Sequence, residues 1–149
     1  MKIDSAGLEL IKKFESFRAI AYKDTAGLWT IGWGHLIKKG EKFLGPISSV
    51  QAQTLLLQDV QEAVDCVNRL TTITLNQNQF DALVSFTYNL GCGALEESSL
   101  LKYVNLGRFL AAASEFHKWN HDRVNGKLVV VAGLTNRRQL EVQLFLKKV

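Results

Sequence analysis

Phe14-Glu15-Ser16-Phe17-Arg18-Ala19-Ile20-Ala21-Tyr22-Lys23-Asp24-Thr25-Ala26-Gly27-Leu28-Trp29-Thr30-Ile31-Gly32-Trp33-Gly34-His35 is the stretch on which the reading of this chain turns. It carries a glutamate on an apolar helix face, an aspartate at a tight turn and a threonine just past that turn: Glu15, Asp24 and Thr30. The helix begins upstream, at Asp4 or Ser5, either of which can cap it. At one hundred degrees per residue, Leu8, Leu10, Ile11, Phe14 and Phe17 share one arc, and Glu9, Lys12, Lys13 and Ser16 face away. Glu15 and Arg18 fall inside the apolar arc. A carboxyl group there is favoured in its neutral form, and Arg18, three residues on, opposes that. From the helix alone, a structural Glu15–Arg18 pair is the more economical expectation.

The next residues change the balance. Ala19 to Lys23 reads as a short strand, and Leu28 to Ile31 as its returning partner. Asp24-Thr25-Ala26-Gly27 has Asp at the first and Gly at the fourth position of a type I turn. Taken singly, Asp24 is an ordinary turn residue and Thr30 an ordinary strand residue. Taken together, a hairpin after the helix can bring both near Glu15. Two carboxyl groups in unlike settings are what glycoside hydrolysis needs: one protonated acid and one ionised group that handles water.

Glu15, eight intervening residues, Asp24, five more, Thr30, then Ile31-Gly32-Trp33-Gly34-His35 resembles the catalytic signature of the phage-type lysozymes, glycoside hydrolases of family 24. The likeness runs through nearly the whole chain. It implies an α+β, mainly helical, lysozyme-like fold: a small hairpin-bearing lobe joined by a long helix to a larger helical lobe. A single catalytic domain over 1–149 is expected, with the small lobe at about 14–47 and the large lobe at about 70–149 plus the first helix. The resemblance assigns Glu15 as the acid, Asp24 as the group that positions water and steadies positive charge on the sugar, and Thr30 as a holder of that water. It implies a pair between His35 and Asp59, structural rather than catalytic. It suggests Leu36, Tyr88, Asn89 and Ser99 as sugar contacts, and an arginine that reaches the acid: Arg137, or failing that Arg138. No cofactor or metal is implied, and His35 has no second ligand at a useful spacing.

Ser48 and Gln51 make a capping box for a long helix, roughly Ser49 to Arg69. Asn76 and Gln79 open the next, which runs to about Tyr88 and stops at the glycines Gly91 and Gly93. Ser98 or Ser99 caps a short helix to Asn105. An alanine-rich helix follows over Arg108 to Trp119. Asn125-Gly126 signals a hairpin turn, with Val129 to Val131 as its second strand. The last helix opens at Gly133, with Leu140, Leu144 and Phe145 as its apolar face.

Composition sets the outer bounds. At 149 residues, 47% hydrophobic and 21% charged, the chain has material for a real core. A formal charge of +4 favours anionic partners, acidic wall polymer among them. No basic run is interleaved with aromatics, which speaks against nucleic acid. No apolar run is long enough to span a bilayer, so no stable membrane insertion is expected. The N-terminus turns polar before a signal-like core forms. The product is therefore expected in the host cytoplasm as a monomer. It would meet peptidoglycan glycan strands only after a separate membrane-permeabilising phage protein acts. Cys66 and Cys92 read as reduced thiols of such a product, with a disulfide left open. Two rivals stand beside hydrolysis: a lytic transglycosylase, and a non-catalytic cationic protein that disrupts cells by charge.

Overall fold

The computed structural model describes residues 1–149. The chain forms two compact units, Ile11–Gln61 and Met1–Leu10 together with Glu62–Val149. The expected class is borne out: the chain is 55% helical with a small antiparallel sheet.

α1 (Ser5–Glu15) starts among the residues of the larger unit and ends in the smaller one, on the glutamate itself. Ser16 turns left-handed at φ 56, which costs an L-residue about 1–2 kcal/mol and redirects the chain at once. Phe17 and Arg18, expected on the helix, therefore lie beyond it, and Arg18 opens β1 (Arg18–Lys23). The anticipated Glu15–Arg18 pair does not form. Arg18 instead lies over the Tyr22 ring, 4.4 Å from its centroid. β2 (Trp29–Gly32) pairs antiparallel with β1, Tyr22 against Thr30, after an irregular register between Arg18 and Tyr22. A third strand not anticipated from the sequence, β3 (His35–Leu36), pairs Leu36 with Thr30 and His35 with Ile31. Two residues are too few for alternation to show. The unit's core is Ile31, Ile47 and Ala52, with Ala21, Trp33, Ile37, Phe43 and Leu55 packed on it.

α2 (Ser49–Asp59) starts with the expected capping box, Ser48 and Gln51 each bonding the other's backbone. The single long helix is not continuous, however. It breaks at Val60, and α3 (Gln61–Leu70) begins anew. Val60 N–H is shared between the carbonyls of Leu56 and Gln58, a tightened last turn. Val60 is buried, so apolar spacing carries on through the break and conceals it.

The larger unit is built on α4 (Gln77–Leu90), whose residues from Gln79 to Thr87 are all buried. A helix covered on every side is the centre of its own core. Asn76 and Gln79 supply the capping box. α5 (Cys92–Glu97) and α8 (Ala132–Leu146) pack on α4, while α6 (Ser99–Asn105) packs on α5 and on α7 (Phe109–Phe116), which also packs on α8. Ser98, not Ser99, caps α6. Phe86 meets Phe116 edge to face and Phe116 meets Phe145 at a tilt, with centroids 5.6 and 5.4 Å apart. The Asn125-Gly126 turn takes φ 52 and 79 and joins β4 (His121–Val124) to β5 (Lys127–Val130).

Three features of this unit depart from expectation or went unforeseen. Cys66 and Cys92, 26 positions apart in sequence, form a disulfide with Cα atoms 5.9 Å apart. Closing a loop of that length stabilises by roughly 3 kcal/mol; cysteine spacing alone could not reveal that α3 and the start of α5 meet. Asp81, wholly buried, accepts from Asp4 N–H at 3.1 Å and Gly7 N–H at 3.3 Å. It thus caps the start of α1 from α4, and burial pushes its carboxyl up against those bonds. Finally, the buried residues of α8 are Arg137, Arg138, Glu141 and Phe145. Leu140 and Leu144 are only half-buried, so the interior face of this helix is largely charged.

Candidate active site

Glu15, Asp24 and Thr30 all belong to the smaller unit. Glu15 sits half-buried at the last position of α1. Its seat is made by the glycine turn. Gly34 has φ 74, and a Cβ there would come within 2.5 Å of Glu15 Oε2 and 3.2 Å of its carboxyl carbon. Hence the second glycine of Gly32-Trp33-Gly34-His35 is needed twice, for its backbone angle and for the room it leaves the carboxyl group. Gly34→Ala should cost about 1–2 kcal/mol of stability through its backbone alone. Displacing the carboxyl group by about 1 Å should also cut turnover by about 100-fold. Thermal melts beside rate measurements separate the two effects.

Asp24 is fixed by its own turn. Oδ1 accepts from Ala26 N–H at 2.9 Å and Leu28 N–H at 2.8 Å, and Gly27 N–H closes the turn on the Asp24 carbonyl at 3.0 Å. One carboxylate oxygen is thereby committed to the backbone, and Oδ2 is left to face a ligand or water. Thr30 lies on the central strand, 3% exposed, its hydroxyl donating to the Leu28 carbonyl at 3.0 Å. That donation leaves the oxygen lone pairs to accept. Leu28 therefore bonds both side chains, its N–H donating to Asp24 and its carbonyl accepting from Thr30.

His35 is buried. Its Nδ1 lies 2.8 Å from Asp59 Oδ2, the pairing drawn from the resemblance. Its Nε2 lies 3.0 Å from Glu41 Oε1, which the sequence did not disclose. The partnership ties the end of α2 and the 38–41 loop to β3. Glu41 also accepts from Lys38 N–H at 2.7 Å. Its carboxyl is held below the ordinary 4.5, first by that backbone bond and then, against some burial, by His35. A lowered folded value stabilises above the ordinary value, and the gain disappears as pH falls through the folded one. Stability should therefore drop as pH is lowered from about 4.5. Glu41→Gln should remove about 1 kcal/mol at pH 7 and flatten this acid limb, as melts across the range will show.

The remaining sequence-derived residues divide between the units. Leu36, half-exposed on β3, is in the smaller one. Tyr88 and Asn89 stand half-buried near the end of α4, and Ser99 is exposed at the start of α6, all in the larger. Arg137 is 3% exposed; its Nε donates to Glu141 Oε1 at 3.3 Å and its Nη2 to the Ser85 carbonyl at 3.2 Å. Arg138, completely buried, pairs Nε with Glu141 Oε2 at 2.7 Å. Ser85 Oγ donates to Glu141 Oε1 at 2.8 Å. Burial pushes the Glu141 carboxyl up and the Arg138 guanidinium down, and their mutual attraction opposes both. Glu141 escaped the sequence reading as a partner. The only available signal was its placement three and four residues after two arginines.

Residues 12–141 match the model of the phage lysozyme family, "Phage lysozyme". The endolysin of Bacillus phage B103 is 49% identical over 98% of this chain. The chain spans about half of that relative, 54% of its length. Among solved structures, the endolysin from Escherichia coli O157:H7 phage FAHEc1 superposes with a TM-score of 0.93 at 40% identity, covering 100% of this chain and 96% of that one. The muramidase domain of SpmX from Asticaccaulis excentricus gives 0.89 at 41% identity, covering 99% of each. With Glu15 seated on Gly34, Asp24 locked by its turn and most of its length matched, the chain belongs to the phage lysozyme family.

Proposed function

We propose that the protein is an endolysin that hydrolyses the β-1,4 bond between N-acetylmuramic acid and N-acetylglucosamine in bacterial peptidoglycan, lysing the host to release phage progeny. The observation that carries this is the pairing of two differently held carboxyl groups in one small unit. Glu15 rests against a glycine with its carboxyl at the helix end. Asp24 has one oxygen tied down and the other available. In this role Glu15 protonates the leaving glycosidic oxygen. Asp24 Oδ2 and the Thr30 hydroxyl orient the attacking water, and Asp24 offsets positive charge on the sugar ring. The water attacks from the face opposite the leaving group, so the product inverts. Leu36, Tyr88, Asn89 and Ser99 are proposed sugar contacts, with Arg137, His35 and Asp59 in support.

No helix is long and apolar enough to cross a membrane. We infer that the chain works as a monomer, is made in the host cytoplasm and depends on a separate permeabilising phage protein to reach the wall. The test is digestion of purified peptidoglycan with the product masses read. Hydrolysis adds one water per cleavage and leaves a reducing end. An anhydro-sugar end, lighter by that water, identifies a transglycosylase instead. Cell killing without any glycan cleavage points to a charge-based disruptor.

A further inference from the structure

We propose that Arg138 is a positioning residue: it holds the Asn89 carboxamide oxygen-inward, so that the amide nitrogen is offered to a carbonyl acceptor on the glycan, an N-acetyl group. This rests on the peptidoglycan reading above and adds to it a chemical reason for one sugar contact.

Arg138 is immobile. It has no solvent exposure, and its guanidinium lies 5.2 Å from the Phe86 ring centroid. Nη1 donates to the Trp119 carbonyl at 3.4 Å, Nη2 to Glu141 Oε1 at 2.9 Å, and Nε is paired with Glu141 Oε2. From this clamped fork, Nη2 also donates to Asn89 Oδ1 at 2.8 Å. A guanidinium has only donors, so the atom facing it must be the amide oxygen. Oxygen and nitrogen of a carboxamide are ordinarily hard to tell apart; here the partner's chemistry decides.

The consequence lies on the other side of the amide. Asn89 Nδ2 donates to no protein atom and is not among the buried unsatisfied groups, so it faces solvent. Asn89 is one residue before the end of α4, half-buried. A free asparagine could flip and present either end. One pinned by Arg138 presents only a donor. Peptidoglycan sugars carry many hydroxyls, which accept weakly and also donate. Their distinguishing acceptor is the acetamido carbonyl, and a fixed N–H donor selects for it. A site with a set donor discriminates against ligands that lack the acceptor.

The experiment compares purified peptidoglycan with the same material chemically N-deacetylated, measuring reducing-end release by the wild type, Asn89→Asp, Asn89→Ala and Arg138→Lys. Asn89→Asp keeps the acceptor for Arg138 and removes the donor, so its melting temperature should match or exceed the wild type. The wild type should prefer N-acetylated glycan. In Asn89→Asp and Asn89→Ala, KM for the N-acetylated substrate should rise about tenfold, the worth of one hydrogen bond of about 1.4 kcal/mol, with kcat little changed. The preference should shrink accordingly. Arg138→Lys, which never touches sugar, should shrink it too, because a lysine cannot bridge Glu141 and Asn89 as the fork does. If that variant does not fold, Asn89→Asp decides alone. An Asn89→Asp chain with the wild-type KM and preference overturns the proposal, as does a folded Arg138→Lys chain that keeps both. A wild type that cleaves neither glycan is a different failure: it overturns the hydrolase reading itself.

Discussion

Replacing Glu15 with glutamine should lower peptidoglycan cleavage by about 10²–10⁴-fold, the usual contribution of a positioned general acid. Shape and hydrogen-bonding reach are kept, so KM should stay within a few-fold and the melting temperature close to wild type. The loss belongs to kcat because glutamine cannot hand a proton to the departing oxygen. The steric setting makes the substitution clean: Gly34 leaves room for the terminal group, and an amide occupies the same volume. Asp24→Asn should behave similarly in rate, yet its amide has an unchanged oxygen for Ala26 and Leu28 N–H, so the turn survives. Steady-state kinetics on solubilised glycan, beside thermal melts, distinguish lost chemistry from lost structure.

Glu141→Ala should be the most destabilising single change in the larger unit. It would leave the fully buried Arg138 guanidinium without its carboxylate and deprive Arg137 Nε of an acceptor. Breaking a buried ion pair from one side typically costs about 3–5 kcal/mol, against a total stability of about 5–15 kcal/mol. At about 2–4 °C per kcal/mol for a chain of this size, the midpoint should fall by roughly 10 °C or more. Glu141→Gln should be milder, since an amide oxygen can still accept from Arg138 and Ser85. Differential scanning calorimetry of the two variants measures this directly. Equal, small shifts would show that the network contributes little to holding α8 on α4.

How much of this was legible in the sequence depended on the range over which each feature is specified. Capping boxes at Ser48/Gln51 and Asn76/Gln79 are written within four residues, and both form. The turn at Asp24 and the hairpin at Asn125-Gly126 are equally local. The end of α1 was not legible, because Phe17 and Arg18 continue its apolar spacing while Ser16 alone leaves the helical region. The break at Val60 is concealed for the same reason. The face of α8 misleads most: periodicity points to its leucines, whereas Arg137, Arg138 and Glu141 go inside, the one carboxylate pairing with both guanidinium groups. Asp81 capping α1 and Cys66 meeting Cys92 are products of tertiary packing that no local pattern records. At the candidate site, the residue types and spacings of Glu15, Asp24 and Thr30 were plain, while the reason for Gly34 and the second partner of His35 needed coordinates.

The sharpest test of Glu15 as proton donor is a substrate that needs no proton. Glu15→Gln should be compared with wild type on intact glycan and on an oligosaccharide of the same sugars ending in a dinitrophenyl leaving group, which departs unprotonated. The variant should be nearly inactive on the first and recover most of the wild-type rate on the second. An equal loss on both substrates would contradict the assignment and leave Glu15 a structural carboxylate at a helix end.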